Sequence, residues 1–380
     1  MARAKTDLIS KIEDEIEQII DLLRELVERE SPSEHKELVD GVGLFIANWL
    51  REQGLTPQVL PRQEVGDIIW AEWGQEQSGR ILVLCHIDTV WQAGSLKRNP
   101  FRVEDGRIYG PGSYDMKGGV ASTLKIQEYL KRGWISPGKK VRFLYTTDEE
   151  LTSSHSRGII EEFARDSDVV LVTEPPLPGG CLKTARKGVG SYLIKIHGKS
   201  AHSGIEPEKG IDAVDELSRR IGEIRSLSLP EEGTTVTVTQ VRGGTAINVI
   251  AEYAEAVVDT RFTSQEEADR VDQALRDMKP EVPSARLEVE GGIERYPMVK
   301  TDRSEELFTM AQEIAAELGY DLDEGGSGGG SDGNFTSALG IPTLDGLGIP
   351  GDGAHAWHEH VQVDQLAPRI ALLARLIERL

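Results

Sequence analysis

Cysteine is nearly absent, with only Cys85 and Cys181 in 380 residues. So few thiols cannot build a disulfide framework, which excludes the small stapled folds of secreted proteins and fits a reducing compartment. No stretch is apolar for long enough to cross a bilayer. The first residues also lack the uninterrupted apolar segment and small-residue cleavage site of a secretory signal, so the cytoplasm is the expected location. Basic residues are in deficit, with 43 Lys and Arg against 64 Asp and Glu and a net charge of −21. Such a surface repels phosphate backbones and anionic headgroups, so neither nucleic acid nor membrane is an expected partner. No internal repeat stands out.

What is present is an ordinary globular composition, 38% apolar and 28% charged, in a chain longer than one hydrophobic core usually serves. Leu8, Ile9, Ile12, Ile16, Ile19, Ile20, Leu22, Leu23 and Leu26 recur at helical spacing among charges and predict an amphipathic N-terminal helix. A second such helix runs from about Lys36 to Gln53 and stops at Gly54. Short β-rich runs then appear at ILVLC (81–85), VRFLYTT (141–147) and VVLVT (169–173), separated by helical stretches. This alternation predicts an α/β sheet covered on both faces. From about Gly188 to Gly292 the strands alternate in polarity instead, as in SYLIKIHG, TTVTVTQV and AEAVVDTRF. That change predicts a smaller α+β domain, 188–292, inserted into a discontinuous larger domain of 1–187 and 293–380. The glycine-rich DEGGSGGGSDGNF (323–335) has linker composition, but ordered elements follow at once, which favours tight turns or close approach to a ligand.

The chemistry sits at the strand ends. Three apolar strands run into His86-Ile87-Asp88, Asp148-Glu149-Glu150 and Glu174, and in an open α/β sheet ligands bind beyond the carboxyl ends of strands. His86 and Asp88 are two apart, so an extended chain directs both to one face, and Asp88 is suited to accept the N–H of a metal-bound imidazole. Adjacent Glu149 and Glu150 would repel in one pocket unless a cation relieved them; one could bind metal while the other takes a proton. Paired acids at a strand end are more often solvated surface. Asp115, bracketed by glycines in GRIYGPGSYDMKGG, offers two oxygens to two cations, or else a helix N-cap. His355, His358 and His360 share one glycine-rich loop, and one or more could close a metal shell; His35, His155 and His197 show no such spacing.

With those residues in view, the chain resembles the metallopeptidase family of glutamate carboxypeptidase, acetylornithine deacetylase, succinyl-diaminopimelate desuccinylase and aminoacylase, most of all the carboxypeptidase G type. The resemblance runs in order from CHIDTV through TTDEE, TEP, GKSAHSG, GGTAINVI, DTRF and GGGSDGNF to GIPGDGAHAWHE. It implies a mixed sheet flanked by helices, plus an inserted ferredoxin-like dimerisation or lid domain. It also implies Asp115 as the bridge between two zinc ions, His86 and Glu174 completing one site, Glu150 and His355 the other. Cobalt or manganese are possible substitutes. Glu149 becomes the general base and Asp88 the group orienting His86. His202 would steady an oxyanion in the partner subunit of a homodimer, and Asn248 and Arg261 would hold a substrate carboxylate. Arg261 could instead be a strand salt bridge. Ala251 stands where relatives often have proline, and LTSSHSRG after the paired glutamates where they commonly have glycine.

The expected reaction is two-metal hydrolysis of an amide, most simply release of a C-terminal glutamate or similar residue from an N-acyl or dipeptide substrate. Deacylation of N-acyl amino acids is the runner-up. A fold retained as an inactive binding protein is the alternative from another class, and a two-metal phosphoesterase lacks its basic phosphate cradle.

Overall fold

The computed structural model describes residues 7–74 and 79–380. They divide into two compact units, one of the described residues up to 185 with 300–327 and 331–380, the other of 186–299 and 328–330.

The larger unit is built on a six-stranded mixed sheet in the order Gln58–Leu60, Ile68–Trp73, Lys140–Thr146, Arg80–His86, Val169–Val172 and Thr343–Leu344. The last four are mutually parallel, and the first two run antiparallel to their neighbours. Strand Arg80–His86 is apolar on both faces because both are covered. Ile81, Val83 and Cys85 join the core under the helices Gly118–Lys131 and Leu366–Arg379, while Leu82 and Leu84 join Ile160, Phe163 and Phe335 on the opposite side. Each such fully buried aliphatic side chain contributes roughly 1.5–3 kcal/mol over its exposed state, which explains why these runs are unbroken rather than alternating.

The N-terminal stretch departs from the expected single helix. Residues 1–6 lie outside the described region, and the remainder forms two helices, Asp7–Glu13 and Ile16–Val27. At the break Glu15 turns inward to Lys125 Nζ (2.8 Å) and Arg132. Helix Lys36–Glu52 ends as predicted, with Gly54 at φ +85° just past its C-cap, a conformation without penalty for glycine. The glycine-rich 323–335 segment is not a linker. It contains strand Glu324–Ser327 and opens helix Gly333–Ala338, and buried Asp332 accepts Thr146 Oγ1 (3.0 Å) at the end of a central strand.

A second, four-stranded antiparallel sheet was not foreseen. It orders Gly351–Asp352, His360–Gln362, Arg107–Tyr109 and Arg102–Glu104, with Tyr109 opposite His360. It lays the hairpin carrying His355 beside the strand that leads to Asp115.

The smaller unit has the chain order of a ferredoxin-like βαββαβ fold. Strands Gly188–His197, Thr235–Gly243, Tyr253–Phe262 and Arg286–Arg295 form an antiparallel sheet in which Gly188–His197 lies between Tyr253–Phe262 and Arg286–Arg295. Helices Ala213–Ser226 and Gln265–Arg276 complete it. The Tyr253–Phe262 strand alternates buried and half-buried residues, as expected for a sheet with one covered face.

Candidate metal centre

The parallel strands align their carboxyl ends. His86 pairs with Thr146 and Leu84 with Val172, so His86, the 148–150 turn and Glu174 all emerge at one edge. Asp115 arrives from the glycine-bracketed loop after Arg107–Tyr109, and His355 from the tip of the neighbouring hairpin.

These groups meet around the Asp115 carboxylate. Oδ1 faces His86 Nε2 at 3.3 Å, and that nitrogen also lies 3.5 Å from Glu174 Oε1. Oδ2 faces His355 Nε2 at 3.3 Å, and that second imidazole lies 3.5 Å from Glu150 Oε2. Asp115 therefore separates two donor groups, each with one imidazole and one glutamate. Its alternative role as a helix cap does not hold, because helix Gly118–Lys131 begins with no side-chain cap. Glu149 joins His86 and Glu174 in a set whose ligand atoms lie within 4.8 Å of one another, as do His86, Asp115 and Glu150.

Asp88 is fully buried beneath this cluster. Its Oδ1 accepts the backbone N–H of Glu149 (3.2 Å), and Oδ2 accepts Glu150 N–H (3.2 Å) and Ser33 Oγ–H (2.7 Å). His86 Nδ1 lies 3.0 Å from the Asp88 carbonyl oxygen and 3.4 Å from Oδ1, which leaves Nε2 directed at Asp115 and Glu174. The backbone around the cluster is strained, since Thr152 (φ +68°), Ser153 (φ +57°) and His355 (φ +63°) all take left-handed conformations.

The electrostatics call for cations. Asp88, Asp115, Glu149, Glu150 and Glu174 bring five carboxylates close to two imidazoles, and like charges gathered in a buried pocket disfavour one another's ionised forms unless cations offset them. Burial alone would raise the Asp115 carboxyl, but His355 and His86 outweigh it and hold the group well below the usual carboxylate range. Burial would lower His86, yet Asp115, Asp88 and Glu174 raise it well above the ordinary imidazole value. Hydrogen bonds to Asp115 and Glu150 push His355 up to about 10. Glu150 is pushed up, chiefly by burial, and His355 opposes the shift.

The donors fit divalent metal. Separations of 3.3 and 3.5 Å are long for hydrogen bonds, but match the roughly 3.3–3.4 Å edge of a tetrahedron with metal–ligand bonds of about 2.0–2.1 Å. Glu150 Oε1 is buried without a hydrogen-bond partner, an acceptor that only a cation or further donor would satisfy.

Comparison with known proteins decides the family. The model of peptidase family M20/M25/M40 matches residues 82–379. The chain belongs to this family. It is similar to carboxypeptidase G2 of Pseudomonas sp. (strain RS-16), at 30% identity over 96% of this chain and 89% of that protein. In fold it is similar to aminopeptidase PepT of Bacillus cereus, at a TM-score of 0.76 and 21% identity over 96% of this chain and 98% of the other. It is likewise similar to the YXEP protein of Bacillus subtilis, a dinuclear metal-binding peptidase of family M20, at a TM-score of 0.70 and 20% identity over 97% and 98% of the two chains. The chain is thus a peptidase-family enzyme with a mixed α/β fold, and no helix among its described residues is long and apolar enough to cross a membrane.

The remaining predicted residues divide clearly. His358 and His360 do not face the acids: His360 packs on the Tyr109 ring, and its Nδ1 lies 2.9 Å from the exposed His358's carbonyl oxygen. His155 faces Glu64 at 3.6 Å. In the smaller unit, exposed His202 and Asn248 lie on adjoining segments, with Val249 opposite His202 and the Asn248 carbonyl accepting Ser203 N–H (3.0 Å). Arg261 grips Asp259 through Nε (3.1 Å) and Nη2 (2.8 Å), the strand salt bridge weighed above. Sequence reasoning missed Glu359. Its fully buried carboxylate accepts N–H groups from Trp91, Gly112, Tyr114 and Asp115.

Proposed function

We propose that this M20 enzyme is a two-zinc amidohydrolase acting as a carboxypeptidase, releasing glutamate or a similar C-terminal residue from N-acyl amino acids or short peptides. The observation that carries the metal reading is the Asp115 carboxylate with His86 on one oxygen and His355 on the other. Support for the substrate comes from the similarity to a protein named carboxypeptidase G2.

His86, Glu174 and Asp115 would hold one zinc ion, and Glu150, His355 and Asp115 the second. The pair, when bound, supplies Lewis-acid polarisation of the amide carbonyl and eases ionisation of water near neutral pH. Glu149, beside His86 and Glu174, takes the proton of the attacking water and delivers it to the leaving amine. Asp88 keeps His86 and the Glu149 backbone in register for that transfer. His202 of a second subunit would donate to the oxyanion, with Asn248 and Arg261 engaging the substrate carboxylate once Arg261 exchanges Asp259 for it.

The test is hydrolysis of a panel of N-acyl amino acids and dipeptides, with metal content measured alongside. Turnover of glutamate-terminated substrates with about two zinc ions per chain is expected. Preference for short N-acyl groups on varied amino acids would move the assignment to a deacylase, and a folded chain indifferent to chelators would remove the enzyme reading. Full activity in a strictly monomeric species would remove His202 from the mechanism.

A further inference from the structure

We infer that Glu359 is a positioning residue that fixes the bridging Asp115 relative to His355, and so sets the affinity for the second cation. The inference rests on the metal centre proposed above and adds to it a residue that touches neither cation nor substrate.

Glu359 is fully buried, and each of its carboxylate oxygens accepts two N–H groups. Oε1 takes the backbone N–H of Tyr114 (3.0 Å) and Asp115 (2.9 Å). Oε2 takes the backbone N–H of Gly112 (2.8 Å) and the indole N–H of Trp91 (2.6 Å). The Gly112–Asp115 turn is thereby pinned through three of its backbone amides to one side chain. Gly112 itself is left-handed at φ +73°, and a Cβ there would come within 2.6 Å of Thr89 Cγ2, so the turn has little freedom to re-form elsewhere.

The other end of this link is the His355 hairpin. Glu359 immediately precedes strand His360–Gln362, its carbonyl oxygen accepts Gly110 N–H (3.4 Å), and its own N–H bonds Ala356 O (2.9 Å), next to His355. One residue therefore ties the loop of the bridging ligand to the loop of the second imidazole. The strand pairing of His360–Gln362 with Arg107–Tyr109 joins the same two loops further from the cluster, and the Glu359 carboxylate extends that link to the backbone of Asp115 itself. All four partners are donors, so an amide in place of the carboxylate keeps one accepting oxygen and turns an NH2 group onto N–H groups that need an acceptor. Trp91 is held for its part by the Trp357 ring, 4.7 Å away.

The second cation is the sensitive one. His86 is anchored from below by Asp88, whereas His355 stands half-exposed on a hairpin tip. Groups that orient metal ligands are worth about 10- to 100-fold in metal affinity or activity.

The experiment compares the wild-type chain with Glu359→Gln. After chelation, each is titrated with Zn2+ by calorimetry and with Co2+ followed by absorbance and electron paramagnetic resonance; the melting temperature of the metal-free protein is recorded in parallel. We expect Glu359→Gln to fold, to bind the first cation nearly as wild type, to bind the second about 10- to 100-fold more weakly, and to lose the signature of a coupled Co2+ pair. Two cations bound with wild-type affinity and intact coupling would overturn the inference, as would a melting-temperature loss with no change in the second affinity. Should Glu359→Gln not fold, Trp91→Phe removes the indole donor alone. A second affinity weakened about tenfold supports the inference, and an unchanged one overturns it. A wild-type chain that takes up fewer than two cations removes the metal centre itself, whereas a Glu359→Gln chain equal to a two-cation wild type removes this inference only.

Discussion

Asp88 Oδ1 accepts the backbone N–H of Glu149 at 3.2 Å, so the residue beneath His86 also fixes the start of the turn that presents the candidate base. Asp88→Asn should therefore harm two functions at once, because its amide cannot accept on both sides. Activity or metal affinity is expected to fall about 10- to 100-fold, measured as kcat and bound metal after dialysis. Ser33→Ala, which removes only one donor to Oδ2, should have the smaller effect.

Glu149 and its neighbour Glu150 should separate cleanly by substitution. Glu149→Ala is expected to retain both metal ions while kcat drops by about 10²- to 10⁴-fold, the usual range for a general base. Glu150→Gln should instead lose the second cation and keep the first. Equal kcat in Glu149→Ala and wild type would remove Glu149 from the mechanism.

Asp115→Ala should abolish both metal positions, because each donor group contains one of its oxygens. Elemental analysis is expected to give well under one ion per chain, against the single ion expected when only Glu150 or Glu174 is changed.

The pH behaviour of the metal-stripped protein follows from His355. Its folded value of about 10 lies above the ordinary 6.5. A raised value means that the protonated imidazole stabilises the folded chain fully below about pH 6.5, and that this contribution fades as pH climbs towards 10. Denaturant melts of the chelated protein should thus weaken across that window. Zinc must displace the same proton, so its affinity should rise with pH and its binding should release protons, visible in calorimetry across buffers of different ionisation enthalpy.

Thr152, a β-branched residue at φ +68°, carries strain that glycine would not. Thr152→Gly should raise stability by about 1 kcal/mol, read from chemical denaturation, provided the turn keeps its shape.

The strand-borne half of the site was legible because burial on both faces leaves an unbroken apolar run, and the first acid or imidazole after such a run marks the sheet edge. His86 and Glu174 announce themselves this way, and Glu149 and Glu150 follow Asp148, the first acid after the run VRFLYTT. The pairing of Asp115 with His355 came from the family resemblance and not from periodicity, because the sheet that brings them together uses strands of two or three residues, too short to show a period. Glu359 was invisible among 64 acidic residues; only its four donors distinguish it. The break at Glu15 was likewise hidden, since no glycine or proline marks it and its cause lies in Lys125 and Arg132. Strand Arg286–Arg295 was not singled out because two glycines and several charges interrupt its alternation. The strand salt bridge of Arg261 was weighed from sequence, but its partner Asp259 emerged only in three dimensions.

The larger unit is interrupted by the smaller one, and its late portion contains both the edge strand Thr343–Leu344 and His355. During translation the ribosome delivers His86, Asp115, Glu150 and Glu174 early and withholds the fifth donor until after the whole inserted unit has emerged. On the two-cation reading proposed above, a growing chain would hold a half-finished cage through much of its synthesis, and loading of the second cation would be a closing step rather than a seed for folding.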